Sequence, residues 1–456
     1  MKTRTFLICL LVSSSSALLG EDAPVSFSKD VVPILRGNCQ GCHRPGKTKG
    51  GLDLTSYTSI AKGGKEDPGF VAGAPAESRI IHEVSGEEPS MPKDGDPLTP
   101  VEISVLQRWI AQGAKDDTSS TPPAHHLTGP PIYRHLPAVT ALAWSPSGDT
   151  LAVAGYHEVI LHDPNDGRVT GRLVGESPRI EALVYSKDGQ LLGVAGGSAS
   201  EFGEIELWNP ATQQLVRSIH ASNDAVFGLS FSPDHSQVAV GCADKTVRAF
   251  SVADGKERMT CNNHIDWVFG TAFNQDGTRL VTVSRDKAVK LIDVATGRLI
   301  DDVNKPRESL LSLARHPSED LVVSGGENGE LRLYKMMPRG GRLSEGDDKE
   351  NSFVREFNRL PGPVSTIDFS PDGQLVAAGC ATGDLRVYKV ADGKQLAGVA
   401  VLKTAIFTAR FDPSGKLIAV GGADGKVHLV DGTTLQPVRE FDGVPLADSL
   451  AAGAGK

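Results

Sequence analysis

The chain has 456 residues, of which 23% are charged and 39% hydrophobic, and its formal net charge is -9. That length exceeds one compact domain, and the balance is that of a soluble globular protein. The acidity, with no basic stripe to neutralise phosphates, excludes nucleic acid as a partner.

Residues 1–20 read as an export signal. Lys2 and Arg4 make a positive start, Phe6 to Val12 a short apolar core, and Ser13 to Ala17 a run of small residues, with Ala17 or Gly20 before the cleavage point. The apolar run is too short to span a bilayer as a helix, and an uncleaved anchor is the alternative. No other segment is apolar enough to span, so no integral membrane segment is expected after signal cleavage. The mature protein is expected in the periplasm or at the cell surface.

Residues 24–115 read as a small all-helical domain. Phe27 and Ser28, followed by Lys29, Asp30, Val31 and Val32, predict a hydrophobic staple and N-cap opening a helix. The string CQGCH follows at 39–43. Two thiols three positions apart reach the two vinyl groups on one edge of a porphyrin, and the next histidine turns back onto the iron. The pattern therefore points to covalent haem c, with Cys39 and Cys42 as thioether links and His43 as proximal ligand. A redox dithiol belongs near a βαβ pattern, and half a zinc site needs further ligands close by; neither is visible. Met91, in SMPKDG, is the candidate distal ligand. It is one of only 5 methionines and sits in a loop, and thioether ligation raises a haem's potential. His82 is the weaker candidate, because IIHEV reads as ordered helix or strand. Further on, Thr99, Pro100 and Glu102 form a capping box with proline at the first helical position. Ile103, Leu106, Trp109 and Ile110 give one apolar face, and Gly113 ends the helix. Trp109 is read as core.

The strings FSKDVVPILRGNCQGCH, KGGLDL, AKGG, AGAPAESRI, SMP and LTPVEISVLQRWIAQGA occur in this order over residues 27–114. The segment resembles the cytochrome c domains of exported planctomycete and verrucomicrobial proteins. The resemblance implies one covalently bound haem c held by Cys39, Cys42, His43 and Met91, and such domains are often fused to other modules, propellers included.

Residues 116–131 are polar and proline-rich and read as a linker, in which His125 and His126 are solvated. From 132 to 443 the chain repeats. A turn resembling aromatic-Ser-Pro-Asp-Gly recurs at Trp144, Tyr185, Phe231, Phe273, Arg315, Phe369 and Phe411. Each is followed by a small-apolar strand, a tight turn, an alternating strand and a more polar fourth strand. Four short strands per repeat is the signature of a propeller, here with seven blades. The repeats resemble WD repeats, but only Trp208-Asn209 approaches the Trp-Asp pair, which puts the hydrogen-bond relay of a strict WD blade in doubt. Either LQPVREF or PIYRHLP completes the last blade, and the C-terminal string is favoured. Loop insertions are expected near Ser198–Gly203 in blade 2 and near Met336–Ser352 in blade 5, and 444–456 is expected to be a flexible tail. Cys242, Cys261 and Cys380 are an odd remainder, which argues against a disulfide framework, and Cys242 and Cys380, at equivalent places in two repeats, are read as small buried packing residues.

The fold class expected is multidomain: a small all-α cytochrome c domain plus an all-β seven-bladed propeller. The expected function is an exported c-type cytochrome that passes single electrons through one haem. The propeller, whose blade 5 insertion shapes binding, docks a protein redox partner there or at the haem edge. The propeller carries no Gly-x-Ser-x-Gly elbow and no His-Glu-x-x-His. Two alternatives stay open: an oxidoreductase with a second cofactor or substrate site in the propeller, and a surface scaffold with a vestigial haem.

Overall fold

The computed structural model describes residues 24–40, 42–44, 47–65, 67–93, 96–117, 129–304, 307–338 and 352–447. The expected export signal, His125 and His126, most of the blade 5 insertion and the last nine residues lie outside them. The chain divides into two compact units, Met1–Thr121 and Pro122–Lys456.

The first unit opens on a tight helical turn, Phe27–Val31, that runs into α1, Val32–Asn38. Its cap is Ser26, not Ser28. The Ser26 hydroxyl accepts the Lys29 N–H at 3.0 Å, and the Asp30 carboxylate accepts the Ser26 N–H at 2.8 Å. Ser28 instead donates its N–H to Asp117 at 2.8 Å, so the start of the expected linker folds back onto this unit. Helices α2 (Tyr57–Lys62), α3 (Arg79–Val84) and α4 (Pro100–Ala111) follow. The cap of α4 is the expected box: Thr99 accepts from Glu102 N–H and donates its own N–H to the Glu102 carboxylate. Leu106, Trp109 and Ile110 are buried on its apolar face. Phe27 stacks on Trp109 with centroids 5.2 Å apart, and Phe70 meets it edge-on at 4.9 Å. The indole N–H donates to Lys115 O at 3.0 Å, which satisfies the one polar atom of this core residue.

The second unit is a propeller. Seven antiparallel sheets of four consecutive strands occupy residues 142–174, 179–222, 226–261, 268–302, 310–357, 364–400 and 406–442. First strands neighbour one another around the axis, and fourth strands lie outermost, which is why the latter are the polar ones. The repeated turn between first and second strands is built by a serine hydroxyl donating to the aspartate two residues on, at 2.6 Å for Ser186, Ser232 and Ser370. Its last position needs positive φ. Glycine supplies this in five blades (Gly148, Gly189, Gly277, Gly373 and Gly415), and His235 adopts φ 58 in blade 3.

Six innermost strands carry a β-bulge near their start, and in each the unpaired residue stands four before the repeat's anchor. These are Glu181, Phe227, Phe269, Leu311, Ser365 and Phe407. A bulge turns such a side chain out of the ladder. Blade 2 departs from the expected loop insertion. Its extra length lies in its strands, Leu192–Ser198, Phe202–Asn209 and Gln214–Ser222, which extend the hairpin arms.

The outer strand of blade 7 is Pro437–Asp442, the favoured C-terminal string. The N-terminal string serves as a seam. Tyr133 pairs in parallel with Leu446, and Ala447 N–H donates to Tyr133 O at 2.9 Å. Val444 is 1% exposed and packs with Tyr133 and Ile160. Residues 444–447 therefore belong to the folded ring rather than to a flexible tail. Cys242, Cys261 and Cys380 are free and buried.

Candidate functional site

α1 ends where the haem motif begins. Cys39 caps it, donating its N–H to Leu35 O at 2.9 Å, and the backbone N–H groups of Cys42 and His43 both return to Cys39 O at 3.1 Å. Two free thiols and an imidazole thus sit on a single closed turn. The turn is fixed from two sides. Asn38 donates to Glu102 Oε1 at 3.1 Å, tying the end of α1 to the cap of α4. Gln40 donates to Leu54 O, and Leu54 N–H donates to His43 O, both at 2.9 Å. Burial, with the nearby Glu102 charge, pushes the Cys39 thiol up to about 11.

Met91 lies in a loop held to the end of α3 by its N–H to Glu83 O at 2.9 Å, and Cys39 and Met91 are half-buried against the same hydrophobic core. His82 is exposed on α3, its Nε2 2.7 Å from Ala76 O in its own segment. One observation bears on whether these residues suit a haem. His43 Nδ1 is buried with no hydrogen-bond partner among the described residues. No described group occupies that nitrogen, and an imidazole immobilised by its backbone beside two free thiols fits the donor set of a c-type haem.

In the propeller, blade 4 keeps most of a WD relay. His264 Nδ1 lies 2.8 Å from Asp286, its Nε2 lies 2.8 Å from Thr282, and the imidazole is fully buried. Burial alone would raise the Asp286 carboxyl, but the His264 hydrogen bond and charge hold it down to about 2. Blade 2 places two carboxylates in the blade interior. Glu206 accepts from the Trp208 indole and from Glu176 N–H, both at 2.9 Å, while Glu204 accepts from Ser177 at 2.7 Å and Ser218 at 3.3 Å. Burial, reinforced by Glu206, pushes Glu204 up to about 7. Sequence reading missed both clusters. The signal for the first was a histidine and an aspartate 22 positions apart across one repeat. Among the described residues, no group of three or more His, Cys, Asp or Glu stands at metal-holding geometry, and no helix is long and apolar enough to cross a membrane.

Residues 39–95 match the family described as Planctomycete cytochrome C. Residues 130–163, 213–251, 255–293, 353–389 and 399–431 match the WD domain, G-beta repeat. The chain joins a planctomycete-type cytochrome c domain to a propeller of WD40 repeats. Among curated proteins it is similar to the serine-threonine kinase receptor-associated protein of Bos taurus, 36% identical over 83 residues, which are 18% of this chain and 20% of that one. It is also similar to the intraflagellar transport protein 122 homolog of Xenopus tropicalis, 30% identical over 98 residues, 22% of this chain and 8% of that one. The chain thus spans a fifth or less of the length of these relatives. Among solved structures, the computationally designed Ika8 protein aligns with TM-score 0.52 and 21% identity, over 69% of this chain and 89% of that chain, a likeness of fold alone. The cytochrome c family implies haem c, and the WD40 propeller is of a kind that generally mediates protein interactions.

Proposed function

We propose that this protein is an exported c-type cytochrome that carries single electrons on one covalent haem and uses its propeller to dock a protein redox partner. The observation that carries the reading is the closed turn of Cys39, Cys42 and His43, with Cys39 and Met91 packed on the same core. Cys39 and Cys42 would hold the porphyrin covalently, and His43 and Met91 would ligate its iron. When bound, the haem supplies one-electron chemistry at its iron. The chain's own work is to fix the imidazole through Cys39 O and Leu54, and to set the thioether against an apolar core that keeps water away. The run from Lys2 to Ala17 supports export, since haem attachment to such a motif suits an extracytoplasmic protein.

The test is retention of haem after denaturation. Purified mature protein should keep one haem through acid-acetone extraction, and its intact mass should start between Leu18 and Glu21. The Cys39→Ser, Cys42→Ser double variant should lose the pigment. Covalent haem in that variant, or a mature chain that begins at Met1, overturns the corresponding part of the reading.

A further inference from the structure

The loop that carries Met91 has no regular structure of its own. Residues 85–90, SGEEPS, separate Met91 from the end of α3, and none of them adds an apolar side chain to the core. Ordering such a segment costs backbone entropy, and burial does little to offset it here. The loop is fixed instead by one residue. Glu83, in the last turn of α3, takes the Met91 N–H on its carbonyl at 2.9 Å. The Ser90 hydroxyl faces the same carbonyl at 3.2 Å and also reaches the Glu83 carboxylate at Oε2. Oε1 of that carboxylate accepts from Arg79 Nε at 3.2 Å, one helical turn back. Another nitrogen of the same guanidinium donates to Asp67 at 3.3 Å. Asp67, Arg79, Glu83 and Ser90 thus form a chain of charge-assisted hydrogen bonds that ends on the residue before Met91.

The chain starts from a fixed support. α3 buries Ile80, Ile81 and Val84 in the core. Ser78, at its N-terminus, is buried, accepts the Val71 N–H at 2.8 Å and donates to Ala74 O at 2.9 Å. Ile80 N–H donates to Gly69 O at 3.0 Å. The side chains of Arg79 and Glu83 are 44% and 32% exposed, and an ion pair so open to water adds little to stability. The pair is therefore poorly explained as a folding device. Its place is what distinguishes it, because it converges on the loop that presents the thioether. Groups that orient a metal ligand commonly change metal affinity 10–100-fold when removed.

We propose that Glu83 is a positioning residue for the distal ligand, its Arg79-held carboxylate fixing Ser90 and its carbonyl fixing Met91, so that the thioether is preset for the iron. The proposal rests on the reading of Met91 as distal ligand and adds what holds that ligand against competitors. Glu83 acts through the backbone of the loop and is not itself a ligand.

The experiment is titration of the ferric, full mature protein with imidazole, which competes with the thioether for the iron, followed at the Soret and near-infrared bands. Glu83→Ala keeps the main-chain bond to Met91, so it isolates the carboxylate. It should bind imidazole at least tenfold more tightly than wild type, and Ser90→Ala several-fold more tightly. Glu83→Gln, which keeps an acceptor for Ser90, should return most of the wild-type resistance. Glu88→Ala, at an exposed position in the same loop, should titrate as wild type. Ser90→Ala removes a single hydroxyl and keeps the test open should Glu83→Ala fail to fold. Wild-type imidazole affinity in the folded Glu83→Ala and Ser90→Ala proteins overturns the proposal, whatever their thermal stability. Equal tightening in Glu88→Ala also overturns it, since the effect then belongs to the charge of the loop. A wild-type ferric protein that lacks the near-infrared band of sulfur-bound iron sinks the Met91 reading itself, and this proposal with it.

Discussion

The Tyr133 phenol donates a hydrogen bond to Glu158 Oε1 at 2.7 Å and accepts the Tyr156 N–H at 3.0 Å. Glu158 is fully buried, and Arg172 holds its other oxygen at 2.7 Å. The same tyrosine pairs with Leu446 across the seam of the ring, so one residue joins a buried ion pair to ring closure. Tyr133→Phe should therefore cost about 1–3 kcal/mol in urea unfolding followed by far-UV circular dichroism. Glu158→Ala, which takes their shared partner from both the Tyr133 phenol and the half-buried Arg172 guanidinium, should cost more than Tyr133→Phe. A Tyr133→Phe protein as stable as wild type means that the seam does not depend on this hydroxyl.

Blade 2 should make stability fall as pH rises. Glu204 is pushed up to about 7 in the folded protein by burial, reinforced by Glu206, against an ordinary 4.5. A raised carboxyl binds its proton more tightly when folded. Its contribution is therefore fully present below about 4.5 and is lost as pH climbs to about 7. Glu206, raised by burial, acts in the same direction. Glu204→Gln, which keeps the hydrogen-bonding shape without the charge, should flatten the urea midpoint between pH 4.5 and 7 relative to wild type. Parallel pH profiles for the two proteins would contradict this.

The relay in blade 4 should work in the opposite sense. Despite its burial, Asp286 is held down to about 2 by His264, against an ordinary 3.8, so its stabilisation is present above 3.8 and is lost as pH falls toward 2. His264→Ala leaves Asp286 and Thr282 without that partner and should cost about 2–4 kcal/mol at neutral pH. The gap between variant and wild type should narrow in acid, measured by the same unfolding assay from pH 7 down to pH 2. A gap independent of pH would assign the loss to packing alone.

At the proposed haem site, Met91→Ala should remove the weak near-infrared band of sulfur-bound ferric iron and lower the reduction potential, since thioether ligation favours the ferrous state. Spectroelectrochemistry reads both. An unchanged band and potential would move the sixth ligand away from Met91.

What was legible in the sequence was contiguous or periodic. CQGCH carries its chemistry within five residues, the Thr99–Glu102 box within four, and the Ser-x-Asp turn recurs in every blade that keeps it. What was not legible depended on register or distance. Ser26 and Ser28 are equally plausible caps by composition, and only Asp30 reaching back to the Ser26 N–H decides between them. The bulged residues of the innermost strands were hidden because strict strand alternation cannot reveal a bulge. Phe227 and Phe269 leave the ladder at a shift of one residue that leaves no mark in composition. The extra residues of blade 2 were counted correctly as length but misread as a loop, because longer paired strands add residues without adding turn signals.

The seam also bears on how this ring can be rebuilt. Each blade is made of four consecutive strands and none borrows a strand from across the join. The two ends of the propeller are already in contact, with Ala447 hydrogen-bonded to Tyr133. The order in which blades are translated is thus not written into the ring. A circular permutant, joined by a short glycine-rich linker between the two ends and reopened at a tight exposed turn between two other blades, keeps all seven sheets intact. The break in the circle marks only where the chain enters and leaves the ring, and the gene for this propeller can be rotated without redrawing a single blade.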